Sequence, residues 1–310
     1  MRGEGDRSAH LSPRSWDRPF VDRPPGSLAV VTDVARHAAE HWGLPTPRLL
    51  RMGMNALFTS DDVVLRVARP SAPAAATLEL AEVLAGAGIR VPAPARPDAV
   101  TIGAHSVTAW ERMVPVEAEP DWRAIGEMAA AVHALDPGDV PDRYPLPPCE
   151  SFPWWRFDEL LPDVAQALDQ PARAGMETII DRHRGWSTAV EHRVVCHGDL
   201  HPDNVVMTAA GPVLLDWDLL CLGPPAWDHS MLLRITRWGW PTRWYEEFAA
   251  GYGRSLAGDP LAEAIAELRL VAASLMRLKA GLADPAAMPE AQRRLAYWRD
   301  GPSAPVWTPT

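Results

Sequence analysis

The chain has 310 residues, of which 47% are hydrophobic, and its formal net charge is −10. This length is sufficient for two lobes or domains with substantial cores, whereas the acidic balance argues against nucleic acid as the main partner. No apolar run approaches the roughly 20 residues of a membrane span, and the polar N-terminus lacks the apolar segment of a secretory signal.

The first third of the chain predicts a helix, several strands and a second helix. Residues 1–26 are rich in Arg, Asp, Pro, Gly and Ser, which predicts a mobile tail. Apolar residues recur on one helical face over residues 27–42, behind a serine cap. Residues 48–68 change to a strand pattern, residues 74–86 return to a helical one, and residues 106–114 predict a further strand.

The remainder is mostly helical in pattern. Apolar residues recur at helical spacing in the segments 121–135, 156–169, 171–186, 241–252, 260–278 and 288–298. No internal repeat interrupts this pattern.

One stretch beyond the middle of the chain does not follow the helical pattern and carries several polar groups. Asp199 and Asn204 lie five residues apart in a polar loop. Residues 205–207 and 213–215 are predicted as two short strands joined by a Gly-Pro turn. The second strand therefore returns Asp216 to the loop, so that two carboxylates and an amide meet at one end of a hairpin.

These three groups suit phosphoryl transfer, a reaction in which the protein mainly positions the reactants and neutralises charge. A carboxylate at Asp199 would orient the attacking hydroxyl and accept its proton. The oxygens of Asn204 and Asp216 are ligands that hard divalent cations such as Mg²⁺ prefer.

The motifs around these groups resemble those of the aminoglycoside phosphotransferase family, which comprises antibiotic and small-metabolite kinases with a protein-kinase-like fold. The family signature is His-Gly-Asp-(Leu/Phe)-x-x-x-Asn followed by Ile/Leu-Asp-Trp-Asp/Glu, and residues 197–204 and 215–218 match it. The match is specific because two motifs occur in order at the right separation.

The resemblance implies both a fold and a reaction. The fold is α+β and bilobal, protein-kinase-like, with a nucleotide-binding small lobe of antiparallel sheet over residues 27–114 and a larger, mostly helical lobe over residues 115–310. The reaction moves the γ-phosphoryl group of ATP or GTP, with Mg²⁺, to a hydroxyl of an aminoglycoside-like antibiotic or a metabolite. The acidic composition is compatible with a cationic acceptor.

The resemblance also implies nucleotide-binding positions. It places Asn55 in the loop over the phosphates and a phosphate-binding cation at Arg66, where a Lys is common. Glu79 on the next helix is expected to pair with that cation, and the backbone of Glu111 and Met113 is expected to bind the purine. In the alternative, Arg66 and Glu79 merely face water, and residues 111–113 are an ordinary connecting strand.

Four further residues are candidates for supporting roles. His197 is expected to brace the polar loop that holds Asp199 and Asn204, here called the catalytic loop. His201 either touches the γ-phosphate or faces water. Asp218 completes the second motif. Asp228 is expected to cap a helix by accepting hydrogen bonds from the backbone N–H groups that follow it, in preference to contacting the acceptor.

Two other functions remain open at this point. One is a nucleotide-binding protein without transferase activity, against which the complete set of three groups argues. The other is a metal hydrolase built on His197, Asp199 and His201, with His229 as a further ligand. A zinc site would have no use for Asn204.

The three cysteines indicate the compartment. Cys149, Cys196 and Cys221 show neither the spacing of a disulfide framework nor that of a zinc motif. Cys196 and Cys221 lie in apolar surroundings and are expected to be small buried residues. We therefore expect a reducing, cytoplasmic setting.

Overall fold

The structure, a computed structural model, describes residues 25–308. The predicted mobile tail, residues 1–26, lies outside the described residues except for its last two. Within the described range the helices are α1 (Leu28–His41), α2 (Ala74–Gly86), α3 (Trp122–His133), α4 (Phe157–Asp163), α5 (Gln170–Arg182), α6 (Ala226–Leu233), α7 (Arg243–Tyr252), α8 (Pro260–Ala283) and α9 (Met288–Asp300). The strands are β1 (Arg48–Met52), β2 (Ala56–Ser60), β3 (Val63–Ala68), β4 (Val100–Ile102), β5 (His105–Glu111), β6 (Val194–Cys196), β7 (Val205–Thr208), β8 (Gly211–Leu214) and β9 (Cys221–Gly223).

The N-terminal part of the described chain is an antiparallel sheet of five strands in the order β1-β2-β3-β5-β4. Buried and half-buried residues alternate along β2 and β3, as a strand with one face on a core requires. Helix α1 covers that face with Val31, Ala35 and Ala38. It starts as predicted, because the Ser27 hydroxyl accepts a hydrogen bond from the Val30 N–H (3.4 Å).

The helical part is built around α8 and around the crossing of α3 and α7. Two glycines let the second pair approach closely. A Cβ on Gly126 would lie 2.1 Å from the Phe248 carbonyl oxygen, and a Cβ on Gly251 would lie 1.9 Å from that of Arg123. Within residues 25–308, no helix has both the length and the apolar character needed to cross a membrane.

One predicted helix is shorter than its pattern. The periodicity predicts helix over residues 156–169, but α4 ends at Asp163 and a separate 3-10 turn follows at Ala165–Ala167. Pro162 lies in the last turn of α4, and a proline cannot continue the backbone hydrogen-bond ladder of a helix.

Two small antiparallel ribbons lie between α5 and α6 in the chain. In one, β6 pairs with β9, and Cys196 lies opposite Cys221. Both thiols, and that of Cys149, are free and buried, as predicted for the first two. In the other, β7 pairs with β8, so the predicted hairpin forms. Its turn is tighter than expected, because Gly211 and Pro212 already belong to β8.

The β7–β8 hairpin is held from two directions. The Arg90 guanidinium donates from Nε to the Pro212 carbonyl (2.9 Å) and from Nη1 to the Ala210 carbonyl (2.8 Å). On the other strand, the Val116 N–H donates to the Met207 carbonyl (2.8 Å). Segments that follow α2 and β5 therefore fix the position of the hairpin.

Candidate active site

The loop between β6 and β7 brings Asp199 and Asn204 into direct contact. The Nδ2 of Asn204 donates to the backbone carbonyl of Asp199 (2.9 Å) and to its carboxylate oxygen Oδ2 (3.1 Å). The Leu215 N–H donates to the Asn204 carbonyl (2.9 Å), so Asp216 follows immediately beside the loop. The structure therefore places the three predicted groups together at the end of the hairpin.

Asp199 is set up to remain ionised. Its partial burial opposes ionisation, but the charges of His201 and Arg269 outweigh this effect, and the pKa of Asp199 is lowered. His201 Nε2 lies 3.4 Å from Asp199 Oδ2, and the carboxylate in turn raises the pKa of His201 against the effect of burial. A carboxylate in this state orients a hydroxyl group well and holds a proton only weakly.

Asp216 is held in a strained backbone conformation. Its φ is 59° and its ψ is 73°, in the left-handed region that residues with a side chain seldom adopt. Such a conformation costs about 1–3 kcal/mol and persists where the surroundings impose it, which is common at active sites. The conformation starts the 3-10 turn Trp217–Leu219 that carries Asp218.

His197 braces the loop, as expected. Its Nε2 donates to the Leu215 carbonyl (2.9 Å), and its Nδ1 accepts from the Asp199 N–H (3.3 Å). Its ring packs against Trp217, with centroids 4.4 Å apart. Burial lowers the pKa of His197, so the neutral ring makes both bonds. These contacts join the catalytic loop to the strand end that bears Asp216.

The expected capping role of Asp228 is wrong. Helix α6 begins at Ala226, so Asp228 already lies inside its first turn, and no side chain caps that end within the described residues. Its carboxylate accepts from the backbone N–H groups of His197 (2.8 Å) and Gly198 (2.9 Å) and pairs with His133 Nε2 (3.0 Å). Asp228 therefore supports the catalytic loop through the backbone N–H groups at its start.

The expected pairing of Arg66 with Glu79 is also wrong. The Arg66 guanidinium binds the Asp218 carboxylate through Nη2. Glu79 is exposed on α2 and makes no ion pair within residues 25–308. Asp218 and Asp216 raise the pKa of Arg66, although burial acts in the opposite direction. Arg66 thus faces the predicted metal ligands rather than helix α2.

The remaining nucleotide-binding candidates lie at the sheet. Asn55 is in the turn between β1 and β2, where its carbonyl accepts from the Gly53 N–H (2.9 Å). The Glu111 N–H donates to the Ala93 carbonyl (2.8 Å), which leaves only its carbonyl for a ligand. Within the described residues, the Met113 backbone makes no hydrogen bond. Within the described residues, no hydrogen bond joins Asn55 to the catalytic loop.

The histidines of the hydrolase alternative do not form a common site. Both ring nitrogens of His197 are engaged by backbone groups. His229 is fully buried and contacts the Tyr245 hydroxyl (3.2 Å). Within residues 25–308, the one grouping with metal-ligand spacing is His133, Cys196 and Asp228, and its histidine and carboxylate bind each other.

The sequence of residues 55–270 matches the model of the phosphotransferase enzyme family. The chain belongs to this family. The match spans more than half of the chain and confirms the predicted family and enzyme class. No curated protein matches this phosphotransferase in sequence.

Several solved structures of low sequence identity share the fold of this chain. The GDP complex of aminoglycoside 2'-phosphotransferase-IIIa is 14% identical, with a TM-score of 0.66 over 88% of this chain and 99% of that one. Amicoumacin kinase hAmiN is 17% identical, with a TM-score of 0.65 over 92% and 96%. A choline/ethanolamine kinase family protein from Mesorhizobium loti is 20% identical, with a TM-score of 0.59 over 88% and 95%. The predicted α+β, protein-kinase-like fold of the phosphotransferase is thereby confirmed.

Asn204 and Asp216 of the phosphotransferase fit a divalent cation. Asn204 uses its Nδ2 on Asp199, and its Oδ1 has no hydrogen-bond partner within the described residues, so this oxygen is available as a ligand. Burial raises the pKa of Asp216, and the negative charges of Asp218 and Asp199 raise it further. A cation placed among these carboxylates would relieve their repulsion.

Two other supports of the catalytic loop, Arg269 and Trp227, left no signal in the sequence. The Arg269 guanidinium of α8 donates to the Gly198 carbonyl (2.9 Å) and lies over the Trp227 ring, 4.5 Å from its centroid. The Trp227 indole donates to the same carbonyl (3.2 Å). His133 has both ring nitrogens bound, to Asp228 and to the Tyr252 hydroxyl.

Proposed function

We propose that this phosphotransferase is a small-molecule kinase that transfers the γ-phosphoryl group of ATP or GTP, with Mg²⁺, to a hydroxyl of an antibiotic or a metabolite. The observation that carries the proposal is the convergence of Asp199, Asn204 and Asp216 at the end of one hairpin. A site that only bound nucleotide would not need an ionised carboxylate fixed by Asn204 beside the predicted metal ligands.

Asp199 is the residue that handles the acceptor. Its carboxylate accepts a hydrogen bond from the acceptor hydroxyl and so points the oxygen at the γ-phosphorus. As the new P–O bond forms and the bond to the leaving nucleoside diphosphate breaks, the hydroxyl proton passes to the carboxylate. Because the pKa of Asp199 is lowered, orientation is the larger part of its contribution, and the proton leaves readily afterwards.

The nucleotide is assigned to Arg66, which reaches the end of the hairpin from the sheet, and to three further residues at the ends of the sheet strands. Arg66 binds phosphate oxygens, and Asn55 lies in the turn above them. The Glu111 carbonyl and the Met113 backbone bind the purine. When bound, Mg²⁺ on Asn204 and Asp216 would neutralise phosphate charge. Nucleotides in the similar structures, GDP in one and AMP-PNP with Ca²⁺ in another, support this assignment.

A cavity in the helical part favours an acceptor that carries a positive charge. It has a volume of about 550 Å³ and lies between α4, α5 and α8. Its lining combines aromatic rings, three carboxylates and one arginine: Trp155, Phe157, Trp186, Asp158, Glu177, Asp181 and Arg184. Aromatic faces and carboxylates together bind ammonium groups.

Packed aromatic rings connect the lining of this cavity to the catalytic loop. The rings of Trp155 and Trp186 that line it also contact the ring of Trp227, at centroid distances of 4.8 and 6.0 Å. Trp227 is the residue whose indole binds the Gly198 carbonyl, immediately before Asp199. We assign the cavity to an amine of the acceptor. We also propose a cytoplasmic location for the protein, because a reducing compartment suits its three free thiols.

A nucleotide-consumption screen tests the function. Purified protein is incubated with ATP or GTP and Mg²⁺ against aminoglycosides, other antibiotics, and metabolite alcohols with and without amines. Acceptor-dependent consumption with a phosphorylated product is the expected result. Nucleotide binding without turnover across the panel would favour the inactive alternative. Tightly bound zinc together with hydrolysis would favour the metal hydrolase.

A further inference from the structure

The partner of Arg66 distinguishes this chain from the pattern that its motifs imply. Arg66 stands at the position where the family commonly has a lysine, and its side chain is 20% exposed. Its partner is Asp218, two residues beyond the predicted metal ligand, rather than Glu79 of α2. The ion pair therefore links the sheet directly to the strand end at the catalytic hairpin.

The geometry of the pair leaves most of the guanidinium unoccupied. Asp218 accepts from Nη2 alone, and within residues 25–308 no hydrogen bond engages Nε or Nη1 of Arg66. A guanidinium carries five N–H donors in a rigid plane, so it binds two partners along different edges. A lysine ammonium has no such fixed second edge.

Asp218 is itself firmly placed. It belongs to the 3-10 turn Trp217–Leu219, which Asp216 starts in its left-handed conformation. The Trp217 carbonyl accepts from the Tyr144 hydroxyl (2.8 Å), and the Trp217 ring packs on His197. The Asp218 carboxylate therefore lies on a turn that Tyr144 holds through the Trp217 carbonyl and His197 holds through the Trp217 ring.

We propose that Asp218 is the positioning residue for Arg66: it holds one edge of the guanidinium so that the remaining N–H groups face the nucleotide phosphates. Asp218 thereby takes the role that the motif resemblance assigns to Glu79. This inference rests on the proposed function, because it presupposes a phosphate ligand for Arg66.

Binding of ADP without metal, measured by titration calorimetry in EDTA, tests the inference. Asp218→Asn removes the charge that orients Arg66, and we expect it to raise the Kd for ADP about tenfold, which corresponds to about 1.4 kcal/mol. The matched control is Glu79→Gln, which removes an exposed acid from α2 and is expected to leave the Kd within twofold of wild type. Thermal unfolding of both variants checks their folding.

A double-mutant cycle separates positioning from an independent role in metal binding. If Asp218 acts through Arg66, Asp218→Asn has little further effect in an Arg66→Ala background. An undiminished effect in that background, or a wild-type Kd for Asp218→Asn, would overturn the inference while leaving the kinase assignment in place. Failure of the wild type to bind either ADP or GDP would instead overturn the proposed function, and this inference with it.

Discussion

Asn204 binds Asp199 twice, through the backbone carbonyl at 2.9 Å and through the carboxylate at 3.1 Å. The amide thus fixes both the path of the loop and the direction of the side chain that meets the acceptor. Its own side-chain oxygen has no hydrogen-bond partner within the described residues. One side chain therefore coordinates the positions of the predicted base and the predicted metal site.

Replacing Asn204 with Asp separates these two tasks. The variant keeps an oxygen ligand but sets a second carboxylate against the oxygens of Asp199. Because like charges disfavour ionisation, the pKa of Asp199 should rise. We expect turnover to fall at least roughly tenfold, and the acidic limb of the pH–rate profile to move to higher pH. An unshifted limb would contradict the contact as the cause.

Asp199→Ala should remove the group that orients the acceptor. We expect turnover to fall roughly 10²–10⁴-fold, with the Kd for nucleotide and the unfolding temperature little changed. Asp139→Ala, on an exposed loop residue, is the control. Near-normal turnover of Asp199→Ala on the true acceptor would remove Asp199 from this role.

Asp158→Asn tests the charge of the acceptor. Asp158 lines the cavity between α4, α5 and α8 and has no ion-pair partner within the described residues. We expect the KM for acceptors with an amine to rise several-fold, and the KM for neutral alcohols to stay the same, because only the former lose an ionic contact. Glu159→Gln, which changes the adjacent exposed acid paired with Arg156, serves as control. Equal effects on both acceptor classes would refute a cation site.

His133→Ala should weaken the support of the catalytic loop in a pH-dependent way. Burial lowers the pKa of His133, but Asp228 outweighs it and raises the value to about 10. Breaking a buried pair of this kind costs about 3–5 kcal/mol of unfolding free energy. A raised pKa stabilises the fold fully below the ordinary value of 6.5, and this contribution is lost as the pH rises towards 10.

The difference in unfolding free energy between wild type and His133→Ala should therefore be large at pH 6 and should shrink between pH 7 and 10. Asp228, whose pKa is lowered, limits the effect at acidic pH, because its contribution to the unfolding free energy is lost as the pH falls below 3.8. Denaturant titrations across this range measure the difference, and His37→Ala at an exposed position is the control. A constant difference would mean that His133 is neutral in the folded protein.

Gly198→Ala should displace the residue next to Asp199. Gly198 has a φ of 92°, and an added Cβ would lie 1.9 Å from the Leu219 carbonyl oxygen. Gly258 has a φ of 80° with nothing within 4 Å of its Cβ position, so Gly258→Ala isolates the conformational cost of about 1–2 kcal/mol. We expect Gly198→Ala to lose more unfolding free energy than this and to lose turnover as well. Equal losses would mean that the loop yields to the extra methyl group.

Local patterns were sufficient to predict the hairpin and the meeting of Asp199, Asn204 and Asp216. Strand alternation fixes which residues pair, and a short turn fixes how far the second strand returns. Helical periodicity likewise predicted α1 and most of the later helices. These features depend on neighbours in the sequence, which a pattern records directly.

The wrong predictions concern contacts between distant segments. Arg66 and Asp218 are 152 residues apart, and the choice between Asp218 and Glu79 depends on how α2 faces β3, which no local pattern encodes. For Asp228, a helix start three residues earlier than predicted turned a capping carboxylate into a support for the loop. The roles of Arg269 and Trp227 depend on the packing of α8 and α6, so they too were inaccessible.

The β7–β8 hairpin is fastened on both sides, by Arg90 at its tip and by Val116 along its other strand. Asn204 and Asp216 flank the opposite end of the same hairpin, and the Leu215 N–H joins the two strands there. A shift of the segment after α2 or of the segment after β5 would therefore be transmitted through the hairpin to both predicted metal ligands.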